Sequence, residues 1–193
     1  ILFSIICYGV LSYDSLVIDT KVYSFIINNI MNDGLTLILK AITELGGVAF
    51  TVLAGVLIFM FCKKNRWFIT IDLVGVTLVN QVIKHIIRRP RPNVLRLVEE
   101  SGYSFPSGHS MVSASFYGLL IYLIYKSNYS KKTKIILITI LIFLILTIGF
   151  SRVYLGVHYI TDVMAGYSLS IIYLMVYIKI IKLSKKEKNK FLF

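Results

Sequence analysis

Residues 106–125 read PSGHSMVSASFYGLLIYLIY. The first four are polar or turn-forming, and the apolar stretch 111–125 follows at once. A Pro-Ser-Gly run in front of such a stretch is a helix start. Ser107 can cap it, and the first unpaired N–H groups of the helix then point outward. That terminus is a ready anion site, because free N–H groups and the helix dipole both favour negative charge. His109 sits beside it with a side chain that titrates near neutral pH. Alone, the run also describes an ordinary capped helix with an interfacial histidine. The rest of the chain decides between the two.

Around this run the chain is apolar almost throughout. Of its 193 residues, 57% are hydrophobic, and the mean hydropathy is +0.79. Both exceed what a soluble domain carries. With 3 Pro and 12 Gly there is no linker or low-complexity block. The reading is one membrane-embedded domain over residues 1–193, all-α, without a repeat. The net charge of +12 suits nucleic acid, but the cations cluster at the ends of apolar stretches, as in loops beside a bilayer. A lipid bilayer is the expected partner, and nucleic acid is not. Cys7 and Cys62 lie in or at the end of apolar stretches and read as small buried hydrophobes, not a disulfide framework. The chain starts at Ile1 without Met, so its N-terminus is expected to be incomplete. The first apolar stretch is read as the end of a span and not as a signal peptide.

Six spans are expected, at 1–11, 35–62, 67–87, 107–125, 135–150 and 160–181. Residues 12–33 are mixed, with apolar residues at helical spacing, and predict a short amphipathic helix on the membrane surface. In the second span Lys40 and Glu44 form an i,i+4 pair that can satisfy itself, and Gly46-Gly47 allow close helix packing. In the third, Trp67 marks the interface, and Asp72, Asn80 and Gln81 should face protein. Pro90 and Pro92 stop that helix. Residues 126–134 read as a basic loop, 151–162 as a second polar insertion and 182–193 as a basic, solvated tail.

Parity puts 13 of the 21 Lys and Arg on the side of the tail. The positive-inside rule then places the tail in the cytoplasm and the loops holding Pro106 and Ser151 outside. Three polar segments meet on that outer face. One carries Lys84 and Arg91, one Ser107, Gly108 and His109, one Arg152, His158 and Asp162. His158 and Asp162 are four apart at the start of the last span, so they share a helix face. A carboxylate there fixes the imidazole tautomer and leaves the other nitrogen as a nucleophile. Lys84, Arg91, Arg152 and the N–H groups of Ser107 and Gly108 can surround a dianion, as phosphoryl transfer requires. Singly, each segment has a bland explanation: a positive helix flank, a cap, a satisfied polar pair. Those explanations leave unexplained why all three fall on one face.

The order and spacing are also specific. Lys84 is followed after six residues by Arg91-Pro92, then comes Pro106-Ser107-Gly108-His109, then Arg152, His158 after five residues and Asp162 after three. This resembles the three-part signature of the type 2 phosphatidic acid phosphatase superfamily, which includes the vanadium haloperoxidases, and within it the small bacterial phosphatidylglycerophosphate phosphatases of the B type. The resemblance implies a six-helix membrane enzyme of the bacterial plasma membrane. It also implies that Lys84, Arg91 and Arg152 hold the phosphate with help from Ser107 and Gly108. His158 would attack phosphorus, Asp162 orient it, and His109 protonate the leaving oxygen. Arg88, Arg89 and Arg96 fall outside the signature and receive no role.

The expected activity is therefore hydrolysis of a terminal lipid phosphate through a phosphohistidine. Phosphatidylglycerophosphate, phosphatidic acid and undecaprenyl pyrophosphate all fit, phospholipid or isoprenoid alike. No cofactor is expected, because Asp and Glu are scattered and not clustered at metal-ligand spacing. Two other classes stay open: a haloperoxidase holding vanadate in the same pocket, and a transporter or non-enzymatic lipid-binding protein. So does Ser107 as nucleophile, with His109 two residues away.

Overall fold

The structure, a computed structural model, describes residues 1–13, 15–61 and 65–190, with the backbone alone for 184–190. Among these residues there is no strand. Eight helices follow one another: α1 (Leu2–Ser12), α2 (Val17–Asn29), α3 (Asp33–Glu44), α4 (Val48–Phe61), α5 (Arg66–Ile87), α6 (Gly108–Lys126), α7 (Lys131–Tyr154) and α8 (Ile160–Lys190).

The central element is α6, which packs against α5, α7 and α8. Its serines explain how it fits there. Ser110, Ser113 and Ser115 are fully buried, and such small residues let helix backbones approach closely. Met111, Phe116 and Leu119 fill the spaces between them against Val76 of α5 and Ile148 of α7. By length and composition α5, α7 and α8 can each cross a bilayer, and up to five spans result if each bent pair, α1 with α2 and α3 with α4, counts as one. The polar face that makes α6 a good hub also lowers its hydropathy, and its neighbours screen it from lipid. Ile71, Val74 and Leu78 of α5, Ile140 and Phe143 of α7 and Ile171 of α8 are exposed. Exposed apolar surface of this extent suits lipid contact.

Several boundaries differ from expectation. The stretch 35–62 is not one helix: it breaks after Glu44 and bends by 43° into α4. Gly46 and Gly47 sit in the break. A Cβ on Gly46 would lie 2.7 Å from the Ile148 side chain and 3.3 Å from the His109 carbonyl, so the helices meet there only because Gly has none. Lys40 and Glu44 form no ion pair among the described residues. Helix α2 buries Asp19 and Ile26 and packs with that face on α7 and α8. Asp72 and Asn80 are buried as expected, but Gln81 is exposed and lines a cavity.

The basic loop 126–134 shrinks to four residues, because Ser130 caps α7 and Lys131 begins it. At its other end α7 runs through Arg152 to Tyr154, so Arg152 lies in a helical last turn and not in the loop. The second polar insertion reduces to residues 155–159. Helix α8 continues to Lys190, past the expected start of the tail. Cys7 is half-buried. Cys62, Lys63 and Lys64, like the tail side chains beyond 183, lie outside the described residues.

Candidate active site

Helix α5 ends where Arg88 turns into the left-handed region (φ 53°) and its N–H bonds to the Lys84 carbonyl. The chain then runs on through Arg89-Pro90-Arg91-Pro92 without helix. This exit throws Lys84, Arg89 and Arg91 toward the N-terminus of α6. There Ser107 Oγ caps the helix, accepting from Ser110 N–H at 3.4 Å and from Ser110 Oγ at 2.9 Å. Asn80 Nδ2 donates to the Pro106 carbonyl at 3.3 Å and ties this start to α5. Gly166 brings α8 against it, since a Cβ there would lie 2.9 Å from the Ser107 carbonyl.

The cations are held by a loop that wraps over them. Arg91 donates through Nη2 to the Ser101 carbonyl at 2.8 Å and through Nε to the Gly102 carbonyl at 3.1 Å. Its Nη1 donates to the Val157 carbonyl at 3.0 Å. Lys84 Nζ donates to the Tyr103 carbonyl. The Glu100 carboxylate bridges two of the cations, taking Nη2 of Arg152 and lying 3.6 Å from Nη2 of Arg91. Arg152 Nη1 donates to Thr43 Oγ1 at 2.9 Å, and its Nε is buried with no hydrogen-bond partner among the described residues.

His158 faces this cluster. Arg91 Nη1 lies 3.2 Å from His158 Nε2. A guanidinium only donates, so Nε2 is the accepting nitrogen and Nδ1 carries the proton. Nδ1 lies 3.4 Å from Asp162 Oδ2, longer than a normal hydrogen bond. The expectation that the two share a helix face is corrected. His158 precedes α8, and the pair meets across the turn that starts the helix. Burial, then the charges of Arg152, Arg91 and Lys84, hold the His158 imidazole well below its ordinary 6.5. It is neutral, with a lone pair directed at the cations.

Five of the eight expected residues, Lys84, Arg91, Gly108, His109 and His158, line one cavity of about 910 Å³. Ser107, Arg152 and Asp162 lie behind its wall and are at most 1% exposed. Ser107 departs from the reading in one respect. Its N–H is not free for an anion, because it donates to the Asp162 carbonyl at 3.1 Å. The rest of the cavity runs between α4 and α5 along Val52, Val56, Phe59, Leu73 and Val74. A polar end and an apolar shaft of this size fit a phosphate on a lipid anchor.

Three residues at the site were not found by sequence reasoning. Glu100 carried no assignment from the sequence. Arg89, given no role, is 3% exposed and pairs with Asp162 Oδ1 at 2.6 Å. Asp19 was read as part of a surface helix and pairs with Arg89 at 2.7 Å. Arg88 and Arg89 are alike in sequence, and no local signal separates the buried one from the exposed one. Arg96, the third arginine without a role, donates to the Pro92 carbonyl of its own loop.

Comparison with known proteins gives a consistent result. A family model described as the PAP2 superfamily matches residues 65–186. Phosphatidylglycerophosphatase B of Bacillus subtilis strain 168 is 38% identical over 142 residues, 70% of this chain and 70% of that protein. The crystal structure of a transmembrane PAP2 type phosphatidylglycerolphosphate phosphatase from Bacillus subtilis matches with a TM-score of 0.79 at 29% identity, covering 93% of this chain and 92% of that one. That of Aquifex aeolicus LpxE matches with a TM-score of 0.69 at 22% identity, covering 86% and 98%. At that identity the likeness is one of fold.

Proposed function

The chain belongs to the PAP2 superfamily, and from there we propose that it is an integral membrane lipid-phosphate phosphatase acting through a phosphohistidine at His158. The observation that carries this reading is the neutral His158, its Nε2 turned to Arg91 at the polar end of an apolar cavity. Lys84, Arg91 and Arg152 hold the three non-bridging phosphate oxygens, with the Gly108 N–H at the α6 terminus assisting. Ser107 acts as the cap that presents that terminus. His158 Nε2 forms a bond to phosphorus as the bond to the leaving oxygen breaks, and His109 gives that oxygen a proton. Water then attacks the phosphohistidine, His109 takes its proton, and inorganic phosphate leaves. Asp162 faces the Nδ1–H of His158 at 3.4 Å and balances the imidazolium character that develops on attack. Among the described residues no three His, Cys, Asp or Glu are grouped to hold a metal ion, and the proposed mechanism uses none.

Phosphatidylglycerophosphate is the substrate we favour, on the 38% identity to a phosphatidylglycerophosphatase B. Phosphatidic acid and undecaprenyl pyrophosphate present the same terminal phosphate, the latter as the main alternative role. We infer that the protein crosses a bacterial plasma membrane six times, with α6 as the enclosed crossing, the site outside and the tail in the cytoplasm. Ser107 is the weaker nucleophile candidate, since it is fully buried and its Oγ is engaged by Ser110.

The test is turnover of the three lipids in detergent micelles, with and without EDTA and orthovanadate, beside His158→Ala. Labelled substrate, denaturing quench and acid challenge identify the intermediate. We expect acid-labile label that is absent from His158→Ala, activity that survives EDTA, and competitive inhibition by vanadate, a mimic of the five-coordinate transition state. Acid-stable label on Ser107 would overturn the mechanism. No turnover of any lipid phosphate would return the protein to lipid binding or transport, and halide oxidation with vanadate would make it a haloperoxidase.

A further inference from the structure

Helix α2 carries an aspartate that is 2% exposed, on an element expected to lie at the membrane surface. Asp19 is buried because the start of α8 and the exit of α5 close over it. Its Oδ1 accepts the Thr161 N–H at 3.1 Å and Thr161 Oγ1 at 2.8 Å. Its Oδ2 accepts the Leu16 N–H at 3.1 Å and Arg89 Nη2 at 2.7 Å. The other arm of Arg89 reaches the opposite way. Nη1 donates to Asp162 Oδ1 at 2.6 Å and to Thr161 Oγ1 at 2.8 Å. The guanidinium carbon lies over the Tyr159 ring, 3.9 Å from its centroid.

One guanidinium is thus forked between two carboxylates whose side chains are both fully buried. Neither Asp19 nor Arg89 lines the large cavity. Asp162 is the candidate catalytic side chain that the Arg89 fork holds. That carboxylate has its Oδ1 taken by Arg89, while Oδ2 accepts the Tyr159 N–H at 2.9 Å and faces His158 Nδ1. The plane of the carboxylate decides whether Oδ2 points at the imidazole, and a carboxylate held by one amide alone can turn. A planar fork anchored at both ends cannot. Removing Arg89 would also leave a buried carboxylate without a counter-charge.

We propose that Asp19 and Arg89 are positioning residues for phosphoryl transfer: Asp19 anchors the Arg89 fork, and Arg89 fixes the Asp162 carboxylate that orients His158. Helix α2 is thereby a working part of the site. The proposal rests on the reading of His158 as nucleophile.

The experiment uses the full chain in detergent micelles with phosphatidic acid as substrate. Asp19→Asn, Arg89→Lys and Arg89→Met are made in the wild-type and Asp162→Ala backgrounds, with Tm measured for each. Asp19→Asn is expected to lower kcat about ten- to a hundredfold, the scale on which removing a supporting partner acts. KM and the orthovanadate inhibition constant should stay within about threefold, because the phosphate-holding groups are untouched. Arg89→Met should cost more. Arg89→Lys should recover part of the loss, since a point charge reaches one carboxylate and not both. In the Asp162→Ala background the same changes should cost nothing further, because residues acting through one group are not additive. The milder Arg89→Lys carries the cycle if Asp19→Asn lowers Tm below the assay temperature. Unchanged kcat in Asp19→Asn and Arg89→Met would overturn the proposal. So would losses that multiply with Asp162→Ala, or KM and vanadate constants that rise in proportion to the loss. A fully active His158→Ala would instead overturn the reading of the site itself. An inactive His158→Ala beside wild-type-like Asp19→Asn and Arg89→Met would sink the clamp alone.

Discussion

Asp162 and Asp72 are both fully buried, and the bundle treats them in opposite ways. Asp162, in the first turn of α8, receives a charged Arg89 donor and the Tyr159 N–H, and its carbonyl accepts the Ser107 N–H. Asp72, inside α5, receives one hydroxyl, from Ser115 at 2.8 Å, and its Oδ2 has no hydrogen-bond partner among the described residues. Burying a carboxylate costs free energy unless charge and hydrogen bonds compensate it. At Asp162 the compensation includes a paired charge and is also directional, so the group is held in one orientation toward an imidazole. At Asp72 it is partial and faces no reacting group. Burial therefore does not by itself make an acidic residue part of the chemistry; a fixed orientation against a partner does.

The sharpest test of that contrast is to neutralise both residues. Asp162→Asn is expected to lower kcat by about a thousand- to ten-thousandfold, the scale seen when a histidine's orienting carboxylate becomes an amide. Asp72→Asn should leave kcat within about threefold and raise Tm by up to about 4 °C or leave it unchanged. Comparable losses of kcat in the two variants would erase the distinction.

The next effect concerns the second histidine, His109, which forms no ion pair with a carboxylate among the described residues. His109→Ala should cost about a hundred- to ten-thousandfold on a lipid alkoxide leaving group. Most of that loss should vanish on a substrate with a good leaving group, where no proton is needed. An equal loss on both substrates would move His109 out of the acid's role.

Glu100 offers a smaller effect of the opposite sign. It pairs with Arg152 and lies 3.6 Å from Arg91, two of the proposed phosphate-holding groups, so on that proposal a bound phosphate would compete with it. Glu100→Gln is expected to tighten orthovanadate inhibition about two- to tenfold by removing that competing state. Weaker inhibition would mean that Glu100 orients the arginines and does not compete with the anion.

The smallest signal is in the pH profile. Because the free-enzyme His158 lies well below 6.5, it does not become protonated as pH falls through that value. The attacking form stays fully populated there. The acid limb of kcat/KM, corrected for substrate ionisation, should therefore lie below pH 6.5, and any basic limb belongs to the coupled site. A corrected acid limb at 6.5 would place the nucleophile in a more solvated setting than the described one.

Much of this architecture was open to a reader of the sequence. The cap at Ser107, the helix stop before Pro90 and the buried Asn80 depend on neighbours within a turn or two, and local rules reach that far. The break between α3 and α4 was less open. Gly46-Gly47 announced a close approach, but whether the helix bends there depends on Ile148, a hundred residues away in sequence. Gln81 is exposed although it lies one residue from buried Asn80, because neighbouring positions on a helix point about a hundred degrees apart.

By itself, then, the sequence determined the class of the molecule and a set of candidates for its site. Composition made it a membrane protein, and three short motifs at specific spacings named the eight residues to look for. Which arginine of Arg88-Arg89 turns inward, that Asp19 belongs to the site, and that the Ser107 N–H is already engaged were decided only in three dimensions. Asp19 meets Thr161 across 142 positions and Arg89 across 70. Contacts of that separation follow from how α2, α5 and α8 pack together, and no periodicity within any one of those helices encodes the angle at which they meet.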